Sequence, residues 1–296
     1  MCSGVVRCLA FVLGALGLVS IAGAQQKTPS KELEFEVASI RPAAMEPPIR
    51  GRLFLKPSSN LAPESGLFSA KTMFLDYLNF AYDIRDSNEW MPIANSLPSW
   101  VNANFWDIEA RSEGIPTRAQ LRLMMQSLLK TRFKLVVHYE NRMRPVYALT
   151  LIKPGQPGPG LKRHTSQKSC STIRSSEAGA ARNDDKEPLY CGGLAWGDHG
   201  QVHYAISDVS MDEAASFLGG NSGADRSVVN QTGLSGRYDI HIAFDKGESL
   251  SGEEWQEYAH DRIREALKKE LGLKLVPTTA ELPRLVLDHI EKPTPN

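Results

Sequence analysis

The chain has 296 residues, 42% hydrophobic and 23% charged, which is apolar enough to bury a core and excludes bulk disorder. Lys+Arg and Asp+Glu both number 34, so no global charge draws the chain to nucleic acid or an acidic membrane. Collagen-like, coiled-coil and disulfide-dense compositions are also excluded, leaving an α+β protein.

The first element is an export signal. Arg7 is followed by an uncharged apolar stretch from Cys8 to Ile21, and Ala22-Gly23-Ala24 is a small-x-small site predicting cleavage before Gln25. The alternative is an uncleaved anchor, but the stretch falls short of the roughly 20 residues a spanning helix needs. The protein is therefore expected in the periplasm or outside the cell, with no stable membrane insertion after cleavage. Cleavage leaves Cys170 and Cys191, and an even pair in an oxidising compartment predicts a disulfide. Two unpaired thiols are the alternative. A bridge closing that loop is worth about 3 kcal/mol on the chain-entropy argument.

Residues 25–34 read as a linker, and Phe35 to Ile40 alternates like an edge strand. A short strand at Gly66–Ala70 precedes a helix with Phe74, Tyr77, Leu78 and Ala81 on one face. A capping box, Thr117-x-x-Gln120, opens a helix whose Leu121, Met124, Met125, Leu128 and Leu129 fall at i, i+3, i+4, i+7 and i+8. A strand over 134–139 and a final strand opened by Pro145 follow. Residues 154–199 then lose periodicity, with Pro154, Pro157 and Pro159 ahead of a polar tract, and read as a loop tied down by the cysteines.

After the loop the same order recurs. Gln201 to Ile206 is a strand, Ser210-x-x-Glu213 caps a helix, and Ile263, Ala266, Leu267 and Leu271 form the long helix stripe. Leu273 to Val276 and a strand opened by Pro283 close it, before the tail at 294–296. Leu128-Leu129-x-x-Arg132-Phe133-Lys134-Leu135 matches Leu267-x-x-x-Leu271-x-Leu273-Lys274-Leu275, and Phe105-Trp106-Asp107-Ile108 matches Arg237-Tyr238-Asp239-Ile240. The spacing of about 130 residues suits a duplicated subdomain. The expected architecture is two pseudo-repeated two-layer units, 35–153 and 200–293. Each reads strand-helix-strand-helix-strand-strand, with helices on one face of a mostly antiparallel sheet.

Motifs for chemistry are sparse. There is no H-E-x-x-H, C-x-x-C, G-x-S-x-G or P-loop. Gly219 to Gly223 follows a helix and reads as a helix stop. His199 and His203 lie four apart, a metal-binding spacing only on a helix, and Gly197 and Gly200 argue against one. His138 shares a strand face with Glu140, and His289 follows Asp288 on a strand where neighbours face opposite ways. These four histidines are the weak candidates for an enzyme site; no metal or cofactor is expected. Asp107 and Asp239 occupy matching positions, where equivalent structural hydrogen bonds are simpler than paired acid–base chemistry. Tyr190, Trp196 and Trp90 lie in or beside loop-like segments and suit a partner contact. The junction of the two units beside the 154–199 loop is the expected place for it.

Five patterns in order resemble a known family. They are Phe35-Glu36-Val37-Ala38-Ser39-Ile40-Arg41-Pro42, then Pro98-x-Trp100 with Phe105-x-Asp107-Ile108-x-Ala110, then Leu128-Leu129-x-x-Arg132-Phe133-Lys134-Leu135-x-x-His138 with Pro145-Val146-Tyr147-Ala148-Leu149. Thr232-Gly233-Leu234-x-Gly236-x-Tyr238-Asp239 and Asp288-His289-x-x-Lys292-Pro293-x-x-Asn296 complete the set. The chain resembles the soil-associated, acidobacterial family of exported proteins of unknown function. That resemblance implies export, many paralogues and kinship with segments fused behind membrane peptidase-like sensor modules. The expected function is a non-catalytic envelope or secreted module that binds a protein or small ligand of the cell envelope. A hydrolase with an unrecognised His/Asp site is the alternative.

Overall fold

The computed structural model describes residues 32–44, 50, 55, 61–183, 186, 188–221, 225–247 and 252–293. The apolar N-terminal segment, the cleavage expected before Gln25, the side chain of Trp255 and the tail 294–296 lie outside the described residues.

Alternation builds the first sheet. Strands β1 (Val37–Ala43), β2 (Leu67–Met73) and β3 (Phe105–Arg111) pair antiparallel in the order β1-β3-β2. β1 covers β3 from end to end, from Val37↔Arg111 to Ala43↔Phe105. Helix α1 (Phe74–Tyr82) leaves β2 directly and stops at Asp83, whose φ of 54° ends the turn. Two shorter helices, α2 (Ser87–Ser96) and α3 (Ser99–Asn102), lead to β3. Then comes α4 (Arg118–Arg132), opened by the predicted box: Gln120 N–H donates to Thr117 Oγ1 at 3.2 Å, and Thr117 N–H donates to Gln120 Oε1 at 2.8 Å. Its stripe of Leu121, Met124, Met125, Leu128 and Leu129 is buried with Phe74, Trp106 and Phe133, each large side chain contributing roughly 1.5–3 kcal/mol.

The second sheet runs β5-β9-β7-β6, all antiparallel. Its strands are β5 (Leu161–Arg163), β6 (Leu194–Asp198), β7 (Gln201–Val209) and β9 (Tyr238–Asp245). β5 and β6 lie within the stretch read as a loop, which also holds a 3-10 turn at Cys170–Thr172 and the short helix α5 (Ala178–Arg182). β9 alternates strictly. Tyr238, Ile240, Ile242 and Phe244 are buried in a core shared with α6 (Met211–Asn221) and α7 (Gly252–Lys269). The Ser210–Glu213 box caps α6, with bonds of 3.2 and 2.8 Å. Gly219 sits inside α6 rather than after it.

Two long strands form the third sheet. β4 (Val136–Leu151) pairs antiparallel with β10 (Leu273–His289), and β8 (Val228–Asn230) adds parallel to β4. Pro145 and Pro283 do not divide these strands, so the two short terminal strands expected in each half are one continuous strand. The reason is register. Tyr147 donates its N–H to Ser227 on the β8 side, so odd-numbered residues of β4 turn their backbone groups away from β10. Pro145 is odd, and Pro277 and Pro283 oppose the odd residues Tyr147 and Asn141. None of the three prolines stands where the β4–β10 ladder needs a donor. The ribbon serves both cores: Leu135, beside the start of β4, and Leu285 belong to the first, Leu149 and Leu273 to the second.

The element order β2-α1-α2-α3-β3-α4-β4 is followed, after β5, α5 and β6, by β7-α6-β8-β9-α7-β10. The architecture is mixed α+β with mostly antiparallel sheets.

Candidate functional site

The alternation that buries Ile240, Ile242 and Phe244 turns Asp239, His241, Ala243 and Asp245 to the other face of the second sheet. Across the strands, Trp196 pairs with His203, and Ala205 with His241. Residues from three strands therefore meet in a row. Tyr190 stacks on Trp196 with centroids 5.2 Å apart and planes 12° apart, and Trp196 stacks on His203 at 4.9 Å and 9°. His203 and His241 stack at 5.4 Å and 10°, with Nδ1 of His203 3.2 Å from Nε2 of His241. Of these four, Tyr190, Trp196 and His203 were candidates from sequence. His241 was not, although its outward place in the β9 alternation was a usable signal.

A groove of about 860 Å³ opens beside this row. Its sheet side carries Lys162, Tyr190, Ser207, Asp239, His241 and Ala243, and its helix side carries Tyr258, Arg262 and Lys269 of α7. His241 is held below the ordinary imidazole range by partial desolvation, then by the charges of His203 and Lys162.

A charged network anchors the wall of the groove. The His164 side chain is 7% exposed, its Nδ1 2.9 Å from Asp239 and its Nε2 2.9 Å from the Lys168 carbonyl. Both partners are acceptors, so these contacts favour the doubly protonated ring. Desolvation pulls its pKa down, but the Asp239 and Lys168 hydrogen bonds outweigh it and the net shift is upward. Asp239 also accepts the Asp208 N–H at 2.9 Å. Asp208 is buried at the irregularity between Ile206 and Val209 of β7. Its carboxylate takes the Cys170 N–H at 2.9 Å, the Ser169 hydroxyl at 2.6 Å and the Arg237 guanidinium. Burial raises its pKa, yet these bonds hold it below the usual range. Cys170 is bridged to Cys191, and next to that bridge Tyr190 donates its N–H to Ser207 Oγ at 3.2 Å. Disulfide and carboxylate together fix Tyr190 against the sheet.

The other candidates lie elsewhere. His199 sits in the β6–β7 turn with φ 45° and a side chain 90% exposed, apart from His203 on the strand. His138 lies between Asp288 at 2.8 Å and Glu140 at 3.2 Å, and Arg142 completes a cross-strand charge ladder on the β4–β10 ribbon. Its pKa is raised by the Asp288 hydrogen bond and then by Glu140. His289 contacts Glu291 at 2.8 Å. Trp90, on α2, packs against the first core rather than joining Tyr190 and Trp196. No cluster of three or more His, Cys, Asp or Glu among the described residues is placed to hold a metal. Between the two halves, Glu213 pairs with Arg85 at 3.1 Å, whereas the groove is lined by residues of the 154–199 stretch and of the second half, with none from the first.

Residues 75–290 match the family described as Protein of unknown function (DUF3738). No curated protein and no solved structure matches the chain. With well over half its length inside that match, the chain belongs to the DUF3738 family of proteins of unknown function.

Proposed function

We propose that this protein is an exported, non-catalytic binding module, made of two copies of one α+β unit, that holds an envelope partner in the groove over its second sheet. One observation carries the proposal: the stacked row Tyr190–Trp196–His203–His241 forms a preorganised aromatic wall beside an open groove of about 860 Å³. Rigid aromatics grip a partner at low entropic cost, and concave sites with a few convergent polar groups are the usual binding places. The Cys170–Cys191 bridge is compatible with an oxidising compartment. Among the described residues no helix is long and apolar enough to cross a membrane. The soil-associated, acidobacterial kinship, and the likeness to segments joined to membrane sensor modules, belong to the same proposal.

The test is in vivo crosslinking. A photoreactive residue at Lys162, exposed on the groove's sheet side, should yield a discrete adduct in the native host, and Trp196→Ala should abolish it. A folded, exported protein that gives no adduct removes the groove as a binding site.

A hydrolase is the second reading, favoured by the imidazole–carboxylate contacts His138–Asp288 and His164–Asp239. Turnover on a panel of ester, peptide and glycoside substrates, lost in His138→Ala or His164→Ala, would establish it.

A further inference from the structure

We propose that the partner enters the groove as an extended peptide, adding an antiparallel strand to the open edge of β9 in line with β5. This inference rests on the binding reading above and names the chemical class of the partner.

The two halves differ at one edge. In the first, β1 pairs with all seven residues of β3. In the second, β5 pairs with β9 only at Tyr238, Asp239 and Ile240. The chain then leaves the sheet at glycines. Gly160 accepts one last bond from His241 N–H at 3.1 Å, but Gly160 and Gly158 turn their own N–H groups to the carbonyls of Glu270 and Leu271, each at 2.8 Å. An added Cβ would lie 2.6 Å from the His241 carbonyl at Gly160 and 2.3 Å from the Glu270 carbonyl at Gly158. Glycine thus allows the chain to step off the β9 edge.

What it uncovers follows from register. Because His241 directs its N–H to the β5 side, the odd-numbered residues of β9 turn their backbone groups that way, and the even-numbered ones bond β7. The N–H and C=O of Ala243 and the N–H of Asp245 therefore face the groove, and no strand flanks them among the described residues. The Asp245 carbonyl is already taken by the Tyr258 hydroxyl at 3.2 Å, which marks the far end of the open edge. Long open edges are normally blunted by charge, proline or cover, yet here the central side chain is alanine and a groove borders it.

An extended peptide is the occupant these groups select. Main-chain bonds to an edge supply affinity in strand addition, and side-chain pockets on alternating faces supply specificity. A guest continuing β5 would meet the Ala243 N–H and C=O with its own backbone. Its alternate side chains would lie on one face beside His241 and on the other toward Tyr258 and Arg262. A proline at the guest position opposite Ala243 is excluded, because that residue must donate to the Ala243 carbonyl.

The test uses the full mature chain and a phage-displayed library of linear peptides. Ala243→Pro removes only the outward N–H and leaves the β7–β9 ladder intact, so the thermal midpoint should hold while selected peptides lose affinity about tenfold, the effect of one unmade hydrogen bond. In the wild type, the same peptides should slow hydrogen exchange at the Ala243 and Asp245 amides, a readout that survives if Ala243→Pro does not fold. Failure of the library to yield a binder overturns the strand-addition proposal, as does unchanged exchange at these two amides. Peptides that bind Ala243→Pro normally but fail on Trp196→Ala overturn strand addition while leaving the groove as a binding site.

Discussion

Nδ1 of His203 lies 3.2 Å from Nε2 of His241, with Trp196 stacked on both rings. At that separation one nitrogen donates and the other accepts, so the contact needs one of the two nitrogens to keep its lone pair. His241 is held down by desolvation, by His203 and by Lys162, while Glu270 opposes them.

A histidine whose folded pKa is depressed favours the folded state fully above its unfolded value, and that contribution is lost as the pH falls below it. Acidification from about pH 7.5 to about pH 5 should therefore protonate His241, separate the rings and lower the thermal midpoint. Trp196 emission should change over the same range, and His241→Ala should remove both responses. A flat emission profile in the wild type, with the midpoint unchanged, would show that His241 does not titrate there.

Asp208 predicts a stability effect. It is 2% exposed and holds Cys170, Ser169 and Arg237 at once. Asp208→Ala leaves the Cys170 N–H and the guanidinium without that partner, and should cost about 3 kcal/mol in urea unfolding. Reducing the Cys170–Cys191 bridge should cost a similar amount, about 3 kcal/mol. Both act on the segment that places Tyr190, so their costs should fall short of additive when combined. Full additivity would mean that the disulfide and Asp208 stabilise separate parts of the fold.

How much of this was legible in the sequence depends on whether the information was local. The stripe Leu121 to Leu129 and the boxes at Thr117 and Ser210 are set by residues a few positions apart, and all are realised. The Cys170–Cys191 pairing was legible because only two cysteines follow the expected cleavage site. The aromatic row was not legible. It needs the β6–β7 and β7–β9 registers, which no local pattern encodes. Trp90 shows the same limit from the other side, since α2 lies on the first core through contacts distant in sequence. β5 has three residues and no periodicity, so the open edge it leaves on β9 could not be foreseen.

Glu89 gives a pH prediction of opposite sign. Burial, then the nearby Asp86 charge, push its carboxyl up to about 7, with Arg144 at 4.0 Å only partly compensating. A carboxyl raised in the folded state is more costly to ionise there than in the unfolded chain, so stability is greatest below the unfolded value near 4.5 and declines as the pH climbs to about 7. Glu89→Gln should remove that decline and be the more stable protein at about pH 8. Parallel stability profiles for the two proteins across this range would place Glu89 in contact with water.

Trp196 separates a binding role from a packing role. Its ring is half-buried, with Tyr190 on one side at 5.2 Å and His203 on the other at 4.9 Å. Aromatic pairs are worth about 1 kcal/mol each beyond burial, so Trp196→Ala should lower stability modestly, by about 2 kcal/mol. A central aromatic anchor also costs about 2 kcal/mol of affinity when truncated, which should appear as loss of the Lys162 crosslink and of peptide binding. Trp196→Phe supplies the control. It keeps a ring in the row, so stability should return nearly to that of the wild type, and capture should recover only as far as Phe fills the wall. If Trp196→Ala weakens the fold while peptide affinity and the Lys162 adduct persist, the row is a structural spine of the second sheet and the contact surface lies elsewhere in the groove.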